Sequence, residues 1–195
     1  MAHVEPLSRE DLGEHEPGFA MVEQMMGFVP NSMFTMARVP GLLPAFQGLG
    51  ATVLSGQVIS RELSQMVALM VSVGAGCRYC QAHTGHTAER MGIAPDKLES
   101  IWHFETCDLF DDAERAALRI AFHAGQLPNA ATPQDFESAR AFYSEEEITA
   151  IVAVCAFFGY LNRWNDTMAT TLEDSPRHFA ETVITANGWN GDRHR

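Results

Sequence analysis

The chain has 195 residues, 46% of them hydrophobic and 19% charged, which is enough apolar material for one compact domain and too little charge for a disordered segment. Formal net charge is −12 and Lys97 is the only lysine, so the surface repels phosphate backbones and argues against nucleic-acid binding. The N-terminal run MAHVEPLSRED lacks the basic and apolar regions of a signal peptide, and the longest apolar run, Ile148 to Leu161, is too short to span a bilayer. These features predict a soluble, cytoplasmic protein with no membrane contact.

The pattern is helical almost throughout. Ser8 caps a short first helix that Pro17-Gly18 ends, and Phe19 to Phe28 is apolar and Met-rich at helical spacing. Asn31-Ser32 cap a helix over Met33 to Val39, stopped by Pro40, and Leu42 to Leu54 forms another, closed near Ser55-Gly56. Ser60 caps a long helix whose Leu63, Met66, Val67, Met70 and Val71 share one buried stripe. Gly74 and Gly76 break it just before Cys77, and a new helix runs from about Cys77 to Met91 with Gly92 as its cap. Pro95 opens a short helix through Trp102, and Asp111 caps another that ends at Gly125. Thr132-Pro133 and Ser144 followed by three glutamates start two more, the second apolar through Leu161. Pro176 opens the last helix and Gly188 ends it.

No segment alternates with period two, so the expected fold is all-α. It forms one domain over 1–195, with N-terminal helices to about 56, a central motif over 57–110 and C-terminal helices over 111–195. Shifted by 85 residues, Leu63 falls on Ile148, Gly74 on Gly159, Arg78 on Arg163 and Tyr79 on Trp164, while Cys77 and Cys80 fall on Asn162 and Asn165. Such an echo fits an internal duplication, and equally two apolar helices that look alike.

Four cysteines are too few for a disulfide-stapled secreted domain, and two of them, Cys77 and Cys80, form a C-x-x-C pair within GCRYCQAH. A thiol attacks as its thiolate, and a helix N-terminus favours that anion. Three-residue spacing sets both sulfurs on one helical face, within reach of a disulfide, and His83 follows along the same face as a base for Cys80. The expected centre is a redox-active dithiol. A zinc site on Cys77, Cys80, His83 and His86 is the weaker reading. On a continuous helix those ligands spread over roughly 13 Å at about 1.5 Å per residue, against zinc–ligand bonds of about 2.0–2.3 Å. Polar neighbours Arg78, Gln81 and Thr84 also disfavour a pair of inert buried cysteines. No cofactor or resident metal is expected.

The stretch from Ser60 to His86, with its apolar helix, Gly-Cys-x-Tyr-Cys turn and following histidine, resembles the core motif of the alkylhydroperoxidase D (AhpD)-like proteins of the carboxymuconolactone decarboxylase superfamily. The segments Asn31 to Pro40 and Phe158 to Met168 resemble those of its peroxidase-related members. The resemblance implies thiol-dependent reduction of hydroperoxides or disulfides. Cys80 would become a sulfenic acid, Cys77 would resolve it as a disulfide, and His83 would take the proton from Cys80. An external dithiol, in some members on a lipoyl-bearing protein, would reduce the disulfide, and the assembly would be a closed homo-oligomer.

Two departures stand out. The best-known members place the histidine four residues after the second cysteine, whereas His83 follows at three and His86 lies nearly a turn further on. The relay glutamate expected twelve residues before the first cysteine is here Gln65, an amide that orients but cannot act as a base. Glu62, one turn earlier, is either its substitute or a solvated first-turn acid. Weak peroxidase turnover is the consequence. The alternatives are a carboxymuconolactone decarboxylase-type lyase, which needs no thiols, and a non-enzymatic thiol sensor or metal-binding module.

Of the remaining residues, Cys155 reads as core and Cys107 as a bystander in a loop. His103 and His123 read as helix C-terminal residues that suit the dipole. The Asn162–Asp166 cluster reads as pocket lining, an oligomer contact or an Arg163–Asp166 ion pair. Met21, Met25, Met26, Met33 and Met36 read as core or interface.

Overall fold

In the computed structural model, which describes residues 2–195, every regular element is helical. After a tight turn at Arg9–His15 come α1 (Glu16–Met26), α2 (Asn31–Met36), α3 (Leu42–Val53), α4 (Arg61–Ala75) and α5 (Arg78–Arg90). They are followed by α6 (Pro95–Glu99), α7 (Asp112–Gly125), α8 (Pro133–Ala139), α9 (Glu145–Met168) and α10 (Asp174–Phe179). The start signals act as their chemistry requires. Ser60 accepts from the Leu63 amide, and Asp111 with Glu114, Thr132 with Asp135 and Ser144 with Glu147 form reciprocal capping boxes. No helix among the described residues is long and apolar enough to cross a membrane.

Three boundaries differ from expectation. Pro17 sits in the first turn of α1, where its missing N–H has no partner to lose, so it opens a helix instead of ending one. The last helix starts before Pro176, at Asp174, and winds on through a wider turn at Ala180–Ile184 to Gly188. The apolar helix α9 does not stop at Leu161 but continues to Met168, so Asn162, Asn165 and Asp166 lie on it.

The core is built around α4, which is buried continuously from Ser64 to Ser72 between α5, α7 and α9. A smaller cluster of Leu12, Phe19, Val29, Met33, Met36 and Leu43 joins the N-terminal helices. Met33 and Met36 are therefore core, while Met21 and Met25 face outward.

Gly74 does not break α4. It lies within the helix, where a Cβ would collide with the backbone carbonyl of Phe122, and on the facing helix a Cβ at Gly125 would meet the carbonyl of Val71. The two glycines let α4 and α7 cross backbone to backbone. The break comes at Gly76, in the left-handed conformation, and it turns the chain so that Cys77 becomes the N-cap of α5. The echo position Gly159 has open space around it, so the two halves do not pack alike there. Gly74→Ala is expected to lower unfolding free energy by about 1–3 kcal/mol, the usual cost of overpacking, measured by urea denaturation. An unchanged midpoint would show that the crossing has slack.

Candidate active site

The site assembles from α5, the segment after α9, and α2. Cys77 caps α5, its sulfur accepting the Cys80 amide at 3.5 Å, so both thiols sit in the first turn as the spacing implied. Both are reduced and buried. The Asn165 side-chain amide donates to the Cys80 sulfur at 3.5 Å. Cys80 and Asn165 are the two positions matched by the sequence echo, so the echoed residues meet at the site.

Helix position alone predicts a lowered pKa for both thiols, and Cys77 departs from this. Burial pushes it well above the ordinary thiol value, the hydrogen bond and charge of Cys80 push it further, and the Asp166 carboxylate adds to them. The single amide donor on its sulfur does not compensate. Cys77 is therefore held as a protonated thiol at neutral pH.

His83 lies one turn past Cys80, buried, with its ring stacked on Tyr79 (centroids 4.1 Å) and edge-on to Phe28 (5.1 Å). Its Nε2 meets Glu173 Oε2 at 2.5 Å. The other oxygen, Oε1, accepts the Asn31 amide at 2.5 Å and the Tyr79 hydroxyl at 3.0 Å. Burial pushes the Glu173 carboxyl up, but the charge and hydrogen bond of His83 and the Asn31 amide outweigh it and hold the group below its ordinary value. Tyr79 is pushed far up by burial and by the Glu173 charge, so its hydroxyl keeps its proton and donates. The carboxylate thus fixes the orientation of the His83 ring, one turn along α5 from Cys80.

Glu173 is the acid that sequence reasoning missed. It stands at the N-cap of α10, and it reaches α5 because Gly85 admits the Phe179 ring, which a Cβ there would strike. No local signal marks it: Leu-Glu-Asp-Ser-Pro reads as an ordinary helix start, and its partner is 90 positions away. Glu62 is exposed in the first turn of α4 and makes no hydrogen bond to the site, so it is a solvated acid and not the relay substitute. Gln65 is buried but makes no hydrogen bond to either thiol or to His83 among the described residues. His86 is equally detached. Its Nδ1 is buried without a partner, and burial with the neighbouring His83 and Arg90 charges lowers its pKa to about 4, so it stays neutral.

Elsewhere, Arg163 does not pair with Asp166, whose carboxylate turns instead toward His194 at 3.3 Å. His123 is held by Asp135 at 2.9 Å rather than by the helix dipole alone. Burial pushes Cys155 up to about 12, making it an inert core thiol, and Cys107 packs at the core edge. Cys77, Cys80, His83 and His86 do not converge on a common point. Among the described residues, the one group of three such ligand atoms within 4.8 Å of each other is Cys77, Asp166 and His194.

Comparison with known proteins matches this frame. Residues 40–122 fit the carboxymuconolactone decarboxylase family model. The debrominase Bmp8 is 37% identical in its apo form, with a TM-score of 0.88 over 93% of this chain and 97% of that one. The chain belongs to the AhpD-like carboxymuconolactone decarboxylase superfamily. A cysteine-to-alanine variant of Bmp8 in complex with 2,3,4-tribromopyrrole gives 36% identity and a TM-score of 0.89 over 94% of this chain and 98% of that one. A peroxidase-related protein with an alkylhydroperoxidase AhpD core, from Ralstonia eutropha JMP134, shares the fold at 23% identity and a TM-score of 0.74, over 86% and 88% of the two chains. The uncharacterized protein YdfG of Bacillus subtilis (strain 168) is 27% identical over 109 residues, 55% of this chain and 71% of YdfG. The superfamily gives the dithiol its setting, and Glu173 is this chain's partner for His83.

Because Glu173 is held below its ordinary value of 4.5, its stabilising contribution is fully present above that pH. It is lost as pH falls through the lower folded-state value. Glu173→Gln should therefore cost about 1–3 kcal/mol near neutrality, with the gap to wild type closing toward acid in denaturation curves taken across pH. Gln65→Glu should not raise the rate of thiol oxidation, and it should lower stability, because it buries a carboxylate away from the His83 partner. A faster Gln65→Glu protein in stopped-flow oxidation would show that Glu173 does not fill the relay.

Proposed function

We propose that this protein is a two-cysteine reductase that removes an electrophilic atom, a peroxide oxygen or a ring halogen, from a small organic substrate. The observation that carries this is the division of labour on α5. Cys80 has an amide donor on its sulfur and the Glu173-oriented His83 one helical turn further along α5, whereas Cys77 keeps its proton.

For a hydroperoxide, the Cys80 thiolate takes the distal oxygen to give Cys80–SOH, and the alkoxide leaves as alcohol with a proton from His83. For a bromopyrrole, the thiolate takes the bromine to give Cys80–SBr, and the ring carbon takes a proton in its place. In both cases Cys77 attacks the Cys80 sulfur. The S–S bond forms and water, or bromide and a proton, departs, so the substrate gains two electrons and the protein becomes a disulfide. A dithiol reductant then restores the two thiols.

Likeness to a debrominase over nearly the whole length, at 36–37% identity, favours a small halogenated aromatic as substrate. The likeness to peroxidase-related proteins is in fold. Asn165, whose Nδ2 donates to the Cys80 sulfur and whose Oδ1 is buried without a partner, supplies a polar atom for such a ligand near the sulfur.

Reduced protein mixed with a bromopyrrole should form the Cys77–Cys80 disulfide and release one bromide per disulfide. Cys80→Ser should lose roughly 10³-fold or more, and Cys77→Ser should stop after Cys80 is oxidised. An organic hydroperoxide in the same assay tests the peroxidase reading. If neither oxidant closes the disulfide, the proposal fails, and substrate turnover that survives both serine substitutions would support the lyase instead.

A further inference from the structure

The C-terminal tail brings a second histidine to the dithiol. His194 is fully buried, and its backbone carbonyl accepts from the Leu172 amide at 2.8 Å and from Arg177 at 3.2 Å. Arg193 next to it donates twice to the Asp166 carbonyl, at 2.7 and 3.0 Å. The penultimate residue is thus pinned against α9 and the Glu173 segment.

The ring's tautomer follows from its partners. Nδ1 lies 2.9 Å from the Thr170 carbonyl, which only accepts, so Nδ1 carries the hydrogen and the neutral ring has its lone pair on Nε2. That Nε2 is buried and has no hydrogen-bond partner. It lies 3.3 Å from Asp166 Oδ1, and a ring nitrogen of His194, a carboxylate oxygen of Asp166 and the Cys77 sulfur all fall within 4.8 Å of one another. In that tautomer Nε2 and the Asp166 oxygen both offer lone pairs and no hydrogen to each other. A proton arriving on Nε2 resolves this, leaving an imidazolium held between the Thr170 carbonyl and the Asp166 carboxylate. The hydrogen at hand is that of the Cys77 thiol.

We infer that His194 and Asp166 form a second proton-accepting pair serving Cys77, as His83 and Glu173 serve Cys80. The inference rests on the dithiol reading above and deepens it. As Cys77 attacks oxidised Cys80, the S–H proton passes to His194 Nε2 and the S–S bond forms. The group on Cys80 leaves with the bonding electron pair, as bromide, or as hydroxide that takes the proton back and departs as water. Burial and nearby negative charge keep Cys77 from ionising unaided, which is why this step needs an acceptor.

The test uses diamide, which takes a dithiol to a disulfide by way of an adduct on the first thiol and so needs no natural substrate. His194→Asn keeps an amide donor for the Thr170 carbonyl but places nothing at Nε2. In stopped flow with quenched mass analysis, the Cys80 adduct should form at the wild-type rate. Disulfide closure should slow at least about 10-fold and rise in proportion to hydroxide from about pH 6 to 9. The titratable groups facing Cys77 are Cys80 on α5, Asp166 on α9 and His194 on the tail, with Tyr79 and Glu173 adjoining. Only loss of the acceptor predicts that profile, since a structural defect would slow both steps. Asp166→Asn, at a partly exposed position, should show a smaller loss confined to closure, and it carries the test if His194→Asn does not fold.

Unchanged closure, or equal slowing of both steps, overturns the inference. So does stoichiometric zinc in the purified protein that is lost in His194→Asn, because the trio would then be a metal site. If diamide closure depends on His194 while neither a bromopyrrole nor a hydroperoxide oxidises the protein, the proposed function fails and the role of His194 stands.

Discussion

A buried carboxylate organises this molecule. Glu173 is mostly withdrawn from water, and a charge in that position persists only when its oxygens are answered. They are answered by three groups from two separate parts of the chain: the Asn31 amide at the start of α2, and the Tyr79 hydroxyl and the His83 ring on α5. Meeting that demand fixes the segment after α9 against the dithiol helix and draws the N-terminal segment over it, which places Phe28 on the edge of His83. The same contacts that hold this segment set the tautomer and orientation of the His83 ring. Stability and ring orientation therefore rest on one hydrogen-bonded pair, and neither can be altered there without the other.

What a reader of the sequence can recover follows from which interactions are local. Caps, glycine stops and the three-four stripe of α4 are determined within a few residues, so the all-α reading and most helix starts are visible in the chain. The C-x-x-C pair and His83 are local too, because helical spacing by itself puts them on one face. Glu173 and His194 are not. Each reaches the thiols only after α10 has docked on Gly85 and the tail has folded back on Leu172, and nothing near either residue distinguishes it from a helix-start acid or a basic chain end. Gly74 misled for a related reason: a glycine needed for close helix crossing looks the same in sequence as one that ends a helix. Pro17 looks the same whether it stops one helix or opens the next.

The replacement of an expected glutamate by Gln65 is better read as relocation than as loss. The function of such a group is to keep a histidine oriented and to stabilise it when it takes a proton. That requires a carboxylate at the ring nitrogen remote from the thiol, and it does not matter which helix supplies it. Glu173 meets the requirement from the start of α10, on a segment tied down by backbone and ring contacts. With the carboxylate supplied there, a second one at position 65 would add an unpaired buried charge, so an amide is the residue that the core tolerates.

The direction of the chemistry follows from the contrast between the two sulfurs. If both thiols ionised easily, either could attack, and mutual repulsion of two adjacent thiolates would oppose the reduced state. Burial and the Asp166 charge keep Cys77 neutral, and in the proposed reaction Cys80, whose sulfur accepts from Asn165, is the sulfur that attacks. After Cys80 is oxidised its negative charge is gone, and one of the influences that kept Cys77 protonated disappears with it. Oxidation of the first thiol thus eases ionisation of the second. The proton acceptor proposed beside Cys77 acts at the stage when the second thiol must attack.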